Sequence, residues 1–309
     1  MTAILDAAPP GDVAEAIADS GSNRPARAPR RPRRPLPIGL GIVFALGALG
    51  AWCLVYGLAF SSMYEARSQK LLYGDLRASL AAEEAPTGGA IAPGTPIGLI
   101  DIPNAGVHDV VIVEGTSSST MRKGPGHLRS TPLPGQPGRS VVFGRSLTFG
   151  APFRHISSLE PQEQIKVTTQ EGVFTYQVEQ VRHVGEQTPA PTSDKPGLTL
   201  VTSEGGGWRS GWAPSRPVYV DATLVGDPQP PTAAPPGAVP SDEQVLKADT
   251  SDLPLLVLTL QLLLLAIGAV AWAATRWTAR QAWLVGAPII LGVLWLVTNV
   301  AAPLLPNLV

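Results

Sequence analysis

Few residues in this chain are of the types that carry out nucleophilic or metal chemistry. There is one cysteine, Cys53, and it lies inside a long apolar run. The histidines are widely separated in the sequence, at His108, His127, His155 and His183. Because no pair of them has the spacing typical of metal ligands, we interpret each as a surface or structurally hydrogen-bonded imidazole. The sequence predicts no metal and no other cofactor.

A second group of candidates is suited to binding rather than to catalysis. The glycine-rich stretch 204–207 predicts a flexible loop, and Trp208 and Trp212 follow it on either side of Arg209. Exposed tryptophans beside an arginine are typical of binding hot spots. The two tryptophans are therefore candidate contacts for a peptide or partner, and the alternative is that both rings pack inside the fold.

Charge and cysteine content exclude several classes of protein. The 309 residues have a formal net charge of −1, which gives no indication of a nucleic-acid partner. A single cysteine permits neither an internal disulfide nor a cysteine-based metal site. The charge is unevenly distributed, since a basic segment from Arg24 to Arg34 is followed by an uncharged stretch.

Three uncharged apolar runs are long enough to cross a bilayer, which requires about 20 residues. They comprise residues 38–60, 253–275 and 282–303. The first run is too long, and too far from the start of the chain, for the apolar part of a signal peptide. We therefore predict three transmembrane helices, the first of them an uncleaved anchor.

Basic residues predict how these helices are oriented, because lysine and arginine are retained on the cytoplasmic side. The Arg24–Arg34 segment places the N-terminus inside, and Arg276 and Arg280 place the turn between the last two runs inside as well. Both signals predict a multi-pass protein of the plasma membrane with residues 61–252 outside the cytoplasm.

Composition sets the other boundaries. Residues 1–37 predict a disordered basic cytoplasmic tail. Residues 61–96 predict a juxtamembrane helix followed by a linker, and residues 227–252 predict a proline-rich linker. One external globular unit remains between the two linkers, at residues 97–226.

This external unit is predicted to be all-β. Short runs rich in β-branched and aromatic residues are separated by Gly, Pro, Asn and Ser. The runs are 97–102, 107–113, 140–143, 164–169, 173–184, 198–202 and 217–224. Phe174, Tyr176 and Val178 alternate with polar residues, which indicates a strand with one buried face. A closed barrel is favoured because it leaves no exposed sheet edge.

Several strings within residues 97–226 resemble the sortase family in order and approximate spacing. The strings are Gly115-Thr116-Ser117, Lys123-Gly124-Pro125-Gly126-His127, Leu133-Pro134-Gly135-Gln136-Pro137-Gly138, Val141-Val142-Phe143-Gly144, Phe149-Gly150-Ala151-Pro152-Phe153, Leu198-Thr199-Leu200-Val201-Thr202 and Arg216-Pro217-Val218-Tyr219-Val220. Sortases are membrane-anchored cysteine transpeptidases of Gram-positive surfaces. The resemblance implies an eight-stranded β-barrel, and it does not extend to the tail or to the C-terminal helical hairpin.

The resemblance also implies where catalytic residues should lie. In sortases a cysteine attacks the scissile carbonyl, a histidine protonates the leaving amine, and an arginine stabilises substrate and oxyanion. This chain has Ser203 at the cysteine position and Arg145 at the histidine position. Only Arg216, at the arginine position, keeps the family's residue type.

These replacements predict loss of catalysis. A serine hydroxyl is a poor nucleophile without an adjacent base, and a guanidinium, with a pKa above about 12, neither accepts nor delivers the proton. General acid–base catalysis alone is typically worth about 10² to 10⁴ in rate. Arg145 and Arg216 would make the former active cleft cationic, which suits a carboxylate, a phosphate or an acidic peptide.

Three classes of function remain open from the sequence. The first is a catalytically inactive, sortase-like membrane protein acting as a scaffold or regulator in cell-surface protein assembly, and we favour it. The second is an active transpeptidase or hydrolase in which Ser203 is the nucleophile and a histidine or carboxylate within hydrogen-bond reach is its base. The third is a module that binds surface-protein peptides and presents them to an active sortase.

Overall fold

The computed structural model describes residues 38–186, 196–205, 215–230, 233 and 237–309. The chain divides into two compact units, one ending at Gly47 and one beginning at Ala48. The described part of the first unit is helical. The second unit contains the barrel, most of the helices and the candidate site.

Four α-helices are described: α1 (Ile38–Val55), α2 (Ser61–Ala81), α3 (Leu253–Arg276) and α4 (Ala279–Ala301). A π-helical turn, Tyr56–Phe60, joins α1 to α2 without a break. Helix α4 begins with a capping box, in which the Thr278 hydroxyl accepts from the Gln281 N–H while the Gln281 side chain accepts from the Thr278 N–H. This arrangement satisfies two N–H groups that a helix terminus otherwise leaves unpaired.

Eight strands form a closed barrel in the order β1-β2-β3-β4-β7-β8-β6-β5. Their bounds are β1 Pro96–Ile102, β2 Val107–Glu114, β3 Gly126–His127, β4 Arg139–Phe143, β5 Gln164–Thr169, β6 Gly172–His183, β7 Gly197–Glu204 and β8 Arg216–Val225. The all-β, eight-stranded barrel predicted from the sequence is confirmed. Seven of these strands correspond to the predicted runs, while the two-residue β3 is too short for any periodicity to reveal it.

The barrel interior is filled by the alternate residues of its strands. Phe174, Tyr176 and Val178 of β6 are buried, whereas Gln177 and Glu179, which alternate with them, are exposed. This is the alternation expected of a strand with one face toward a core. The Tyr176 hydroxyl accepts a hydrogen bond from the N–H of Gly135 at 2.6 Å. The polar group of this buried side chain therefore has a partner within the barrel.

The prediction of three membrane spans is supported for two of them. Within the described residues, two helices are long and apolar enough to cross a membrane, Leu253–Arg276 and Arg280–Leu304. The first predicted span, residues 38–60, is helical but does not form a helix of its own with ends at those residues. Helix α1 has 18 residues, and its path continues through the π-turn into the charged helix α2.

The two C-terminal helices pack closely and are attached to the rest of the second unit near the end of α4. A Cβ atom at Gly286 of α4 would lie 2.6 Å from a methyl of Val270 in α3, so this crossing requires a glycine. At the end of α4, the Asn299 side chain accepts from the Tyr56 hydroxyl at 3.1 Å and from the Arg122 guanidinium. The end of α4 is therefore fixed against the barrel.

Candidate functional site

The candidate site lies where two neighbouring parallel strands end. Strand β4 pairs with β7 so that Phe143 lies opposite Val201. The N–H of Gly144 continues this pairing to the Val201 carbonyl at 2.9 Å. Arg145 follows β4, and Ser203 lies near the end of β7. The two residues consequently lie at the same end of the barrel. Gly144 is required there, since a Cβ atom would lie 2.1 Å from the Phe153 ring.

Ser203 is buried and its hydroxyl has two partners. Its Oγ donates to the main-chain oxygen of Leu308 at 2.7 Å, and it lies 3.0 Å from the Oγ of Ser146. Neither partner is a base able to remove the proton at neutral pH. In this arrangement the hydroxyl acts as a hydrogen-bond donor to a peptide carbonyl.

Arg145 is also buried, with only 1% of its surface exposed. Its guanidinium makes six hydrogen bonds, and every acceptor is a main-chain oxygen or a hydroxyl. Four of the acceptor atoms come from three residues between 118 and 148, and two come from residues 306 and 309. The acceptor residues are Ser118, Met121, Thr148, Pro306 and Val309. The Phe149 ring covers the guanidinium, with 4.9 Å from Cζ to the ring centroid.

Burial lowers the pKa of Arg145 to about 9, and the nearby Arg122 guanidinium contributes to the lowering. A cation that loses water without gaining an anion is disfavoured, which explains the direction. A pKa of about 9 still leaves the side chain protonated at neutral pH. Arg145 is therefore a donor that holds carbonyl oxygens, and it is not a substitute for a histidine acid.

Arg216 is not brought into this cluster. It begins β8, where its Cα lies opposite Glu204, and its side chain is exposed. Successive residues of a strand point to opposite faces. Glu204 and its cross-strand partner Arg216 therefore point away from the face that carries the Ser203 hydroxyl. The described hydrogen bonds of Arg145 do not involve Arg216, and a single cationic cleft formed by both arginines stays a prediction.

The histidines do not approach Ser203 either. His127 is buried, with Nδ1 2.8 Å from Glu114 Oε2 and Nε2 3.1 Å from the Pro132 oxygen. His183 lies 3.3 Å from Glu204. Glu204 follows Ser203 directly in β7 and points to the opposite face of that strand.

The other two histidines, His108 and His155, are exposed. Over the described ranges, no group of three or more His, Cys, Asp or Glu residues could hold a metal ion. The candidate partner contacts Trp208 and Trp212 lie outside the described residues.

An open cavity of about 520 Å³ lies beside this end of the barrel. Helix α2 contributes Glu65 to its wall, and the loop after β4 contributes Leu147, Gly150 and Arg154. Burial raises the pKa of Glu65 to about 7. The cavity does not include Ser203 or Arg145 in its lining, so it is separate from the cleft.

Sequence reasoning missed the residues that complete the cleft. Ser146 and Thr148 contact the peptide oxygens of residues 308 and 309, and those residues themselves were not assigned to the site. One signal was available. Pro303 and Pro306 end the helical pattern at the end of the last apolar run, and the polar Asn307 follows between Pro306 and Leu308, which is unsuited to continued passage through lipid.

Comparison with known proteins finds similarity to one family over most of the barrel. Residues 100–222 match the family model described as Sortase domain. Sortase D of Bacillus subtilis (strain 168) is 32% identical over 85 residues, which are 28% of this chain and 41% of that relative. The chain therefore spans less than half the length of this curated relative.

Solved structures of sortases are also similar to this chain. A Clostridium perfringens Sortase D5 transpeptidase is 26% identical, with 53% of this chain and 100% of that chain covered and a TM-score of 0.42. Sortase E1 from Streptomyces coelicolor is 26% identical, with 45% of this chain and 93% of that chain covered and a TM-score of 0.35.

Proposed function

We propose that this chain is a membrane-anchored, sortase-like protein that binds peptide without cleaving it, and the match of residues 100–222 to the Sortase domain model supports this. In this proposal the protein acts as a scaffold, regulator or peptide-binding partner in the assembly of cell-surface proteins. The observation that carries the proposal is the use of Ser203 and Arg145 as hydrogen-bond donors to main-chain oxygens of residues 308 and 309.

The lack of a base supports loss of turnover. A serine nucleophile requires a group that removes its proton, and the described partners of Ser203 are a second hydroxyl and a peptide oxygen. The neighbouring stretch 206–214, which lies outside the described residues, contains no histidine, aspartate or glutamate in its sequence. The loop closest in sequence therefore cannot supply the missing base.

The lack of an acid supports it as well. The leaving amine of a cleaved peptide must be protonated, and general acid catalysis of such a step contributes about 10² to 10⁴ in rate. Arg145 occupies the family's histidine position, and its donor groups are already committed to oxygens of Ser118, Thr148 and Val309.

Membrane anchoring completes the proposal. Helices α3 and α4 supply two candidate spans, and we propose residues 38–60 as a third. The basic residues Arg276 and Arg280 would place the turn between α3 and α4 in the cytoplasm. Residues 304–309 would then emerge on the same side as the barrel, which agrees with their contacts to it.

A turnover assay on the full chain in detergent micelles tests this function. Sorting-signal-like peptides and an amine acceptor are incubated with the native protein, with Ser203→Ala and with a Ser158→Ala control at an exposed hydroxyl. We expect mass spectrometry to find no cleaved or transferred product in any of the three, while an active sortase run in parallel gives product. Turnover by the native protein and by Ser158→Ala that disappears in Ser203→Ala would overturn the proposal and make Ser203 a nucleophile.

A second variant examines whether only the chemistry is missing. Arg145→His combined with Ser203→Cys restores the residue types of the family at both positions. Product formed by this double variant would indicate an intact groove. The absence of product from the native protein remains the decisive result in either case.

A further inference from the structure

The cleft at Ser203 contains a peptide, and the peptide is part of the same chain. Residues 305–309 follow the short 3₁₀ turn Ala302–Leu304 at the end of α4. Asn307 and Leu308 are fully buried. The N–H of Val309 donates to the Pro306 oxygen at 3.1 Å, so residues 306–309 form a turn. We refer to residues 305–309 as the cleft segment.

The strongest contacts converge on Leu308. Its main-chain oxygen accepts from the Ser146 N–H at 3.1 Å, from the Ser146 hydroxyl at 3.1 Å and from the Ser203 hydroxyl at 2.7 Å. Its side chain is buried against three barrel residues, Met121, Phe143 and Val201. One residue is thus recognised both by its peptide oxygen and by an apolar pocket.

Asn307 is recognised by its side chain. Its amide nitrogen donates to the Thr116 oxygen at 2.8 Å and to the Gln244 oxygen at 2.9 Å. Its N–H donates to the Lys247 oxygen at 2.9 Å. Because two acceptors face its amide nitrogen, the position requires a side chain with two N–H donors.

Arg145 and Thr148 hold the two ends of the turn. The Arg145 guanidinium donates to the Val309 oxygen at 2.6 Å and to the Pro306 oxygen at 3.4 Å. The Thr148 hydroxyl donates to the same Val309 oxygen at 2.5 Å. If the cleft segment left, Arg145 would lose the Pro306 and Val309 oxygens as acceptors. This loss is unfavourable because a buried guanidinium is costly unless its donors have partners.

We propose that the Ser203–Arg145 cleft is a peptide-binding site whose resident ligand is the cleft segment of the same chain. The ligand class is a short peptide that presents an asparagine followed by an aliphatic residue whose main-chain oxygen is free to accept hydrogen bonds. The cleft segment is an intramolecular competitor, because a peptide from another protein enters only when the segment leaves. This inference rests on the proposed function and names the ligand of that site.

Access of a thiol at position 203 measures whether the segment occupies the cleft. Cys53→Ser removes the chain's only cysteine, and Ser203→Cys then introduces a single thiol. In the full chain in detergent, a maleimide reagent should label Cys53→Ser/Ser203→Cys slowly, because the thiol reacts only when the segment opens locally. Adding Leu308→Asp, which puts a charge into the apolar pocket, should raise the labelling rate at least about tenfold.

Leu305 provides the matched control. It belongs to the same segment but is 38% exposed, so Leu305→Asp should leave the labelling rate of the single thiol near its starting value. Circular dichroism of each variant verifies that the barrel is folded. Rapid labelling without any change in the segment, or equal acceleration by Leu305→Asp and Leu308→Asp, would show that the segment does not cover Ser203.

Binding of an added peptide tests the ligand class. The probe is an amidated peptide of the sequence of residues 304–309, Leu-Leu-Pro-Asn-Leu-Val, with a fluorophore at its N-terminus. Fluorescence anisotropy should detect saturable binding to the full chain carrying Leu308→Asp and weaker binding to the native chain, whose cleft is occupied. A probe with Asp in place of the leucine that corresponds to Leu308 should not bind.

The two proposals fail in different ways. Equal binding to Leu308→Asp with and without Arg145→Ala would place the peptide elsewhere and overturn this inference, while leaving the lack of turnover untouched. Turnover by the native protein would overturn the proposed function, while slow labelling at position 203 would still show a covered cleft.

Discussion

Two buried charged clusters of the barrel, one at Asp221 and one at Arg145, differ in where their partners originate. Asp221 of β8 is fully buried and binds Arg139, Arg182 and Thr199, all residues of the barrel strands. Arg145 is equally buried, but two of its acceptor residues belong to the cleft segment. The first cluster is complete within the barrel, whereas the second is completed by a peptide. This difference separates a structural cluster from a binding site.

The largest expected effect concerns the complete cluster. Asp221→Ala removes the anion shared by two arginines and should destabilise the barrel by about 3–5 kcal/mol, the usual result of breaking a buried ion pair. Thermal unfolding of the full chain in detergent measures the loss. Asp75→Ala, at an exposed position of α2, serves as the control and should have little effect.

The same variant tests whether the Asp221 cluster is independent of the cleft segment. While Asp221→Ala remains folded at low temperature, labelling of a thiol introduced at position 203 should be unchanged, because no residue of the Asp221 cluster contacts the cleft segment in the described structure. Accelerated labelling at a temperature well below unfolding would show that the two clusters are coupled and that the distinction between them is wrong.

The next largest effect concerns the pocket of the cleft segment. Leu308→Ala should weaken docking of the segment by about 2–5 kcal/mol, the range for truncating a buried leucine. The half-exposed Leu305 should lose much less when changed to alanine. Hydrogen exchange of residues 305–309, followed by mass spectrometry, should be faster in Leu308→Ala than in Leu305→Ala. Equal exchange in both would contradict specific recognition of Leu308.

The barrel was predictable from the sequence because its strands carry a periodic signal. Alternation at Phe174, Tyr176 and Val178 gives the buried face of β6 directly, and the strings that resemble sortases fix the order of the strands. Ser203 and Arg145 were found in the same way, since both lie inside or next to these strings. The two candidate membrane spans α3 and α4 follow from length and apolarity alone.

The occupant of the cleft was not predictable, because its contacts join residues far apart in the chain. The partner of Ser203 is Leu308, more than a hundred positions away, and no local pattern connects them. The position of the Arg216 side chain was also unpredictable, since resemblance gives a residue's place on a strand and not the direction of its side chain. The sequence also did not predict that the helix continues beyond the first apolar run, because the π-helical turn Tyr56–Phe60 joins α1 directly to α2.

A smaller effect is expected from the hydroxyl of Ser203. Ser203→Ala removes one of three donors to the Leu308 oxygen and should weaken docking of the cleft segment by about 1 kcal/mol, since Ser146 still satisfies the acceptor. Hydrogen exchange of residues 305–309 should accelerate several-fold less than in Leu308→Ala. Ser158→Ala, which removes an exposed hydroxyl, should not alter it. Exchange in Ser203→Ala as fast as in Leu308→Ala would mean that the hydroxyl, and not the apolar pocket, dominates docking.

The smallest effect lies outside both clusters, at the cavity beside the cleft. Burial raises the pKa of Glu65 from 4.5 to about 7, so the folded state holds this proton more tightly than the unfolded state does. The stability that Glu65 contributes is therefore complete below pH 4.5 and is lost as the pH rises through about 7. Because the Glu65 side chain is only partly buried, Glu65→Gln should flatten the pH dependence of the melting temperature by only about 2–4 °C. Glu84→Gln, at an exposed carboxylate, should retain the native dependence. Glu65 has no contact with the cleft segment among the described residues. Its substitution should therefore leave labelling at position 203 unchanged at pH 6 and at pH 8. A pH-dependent change in that labelling would extend the binding site into the cavity.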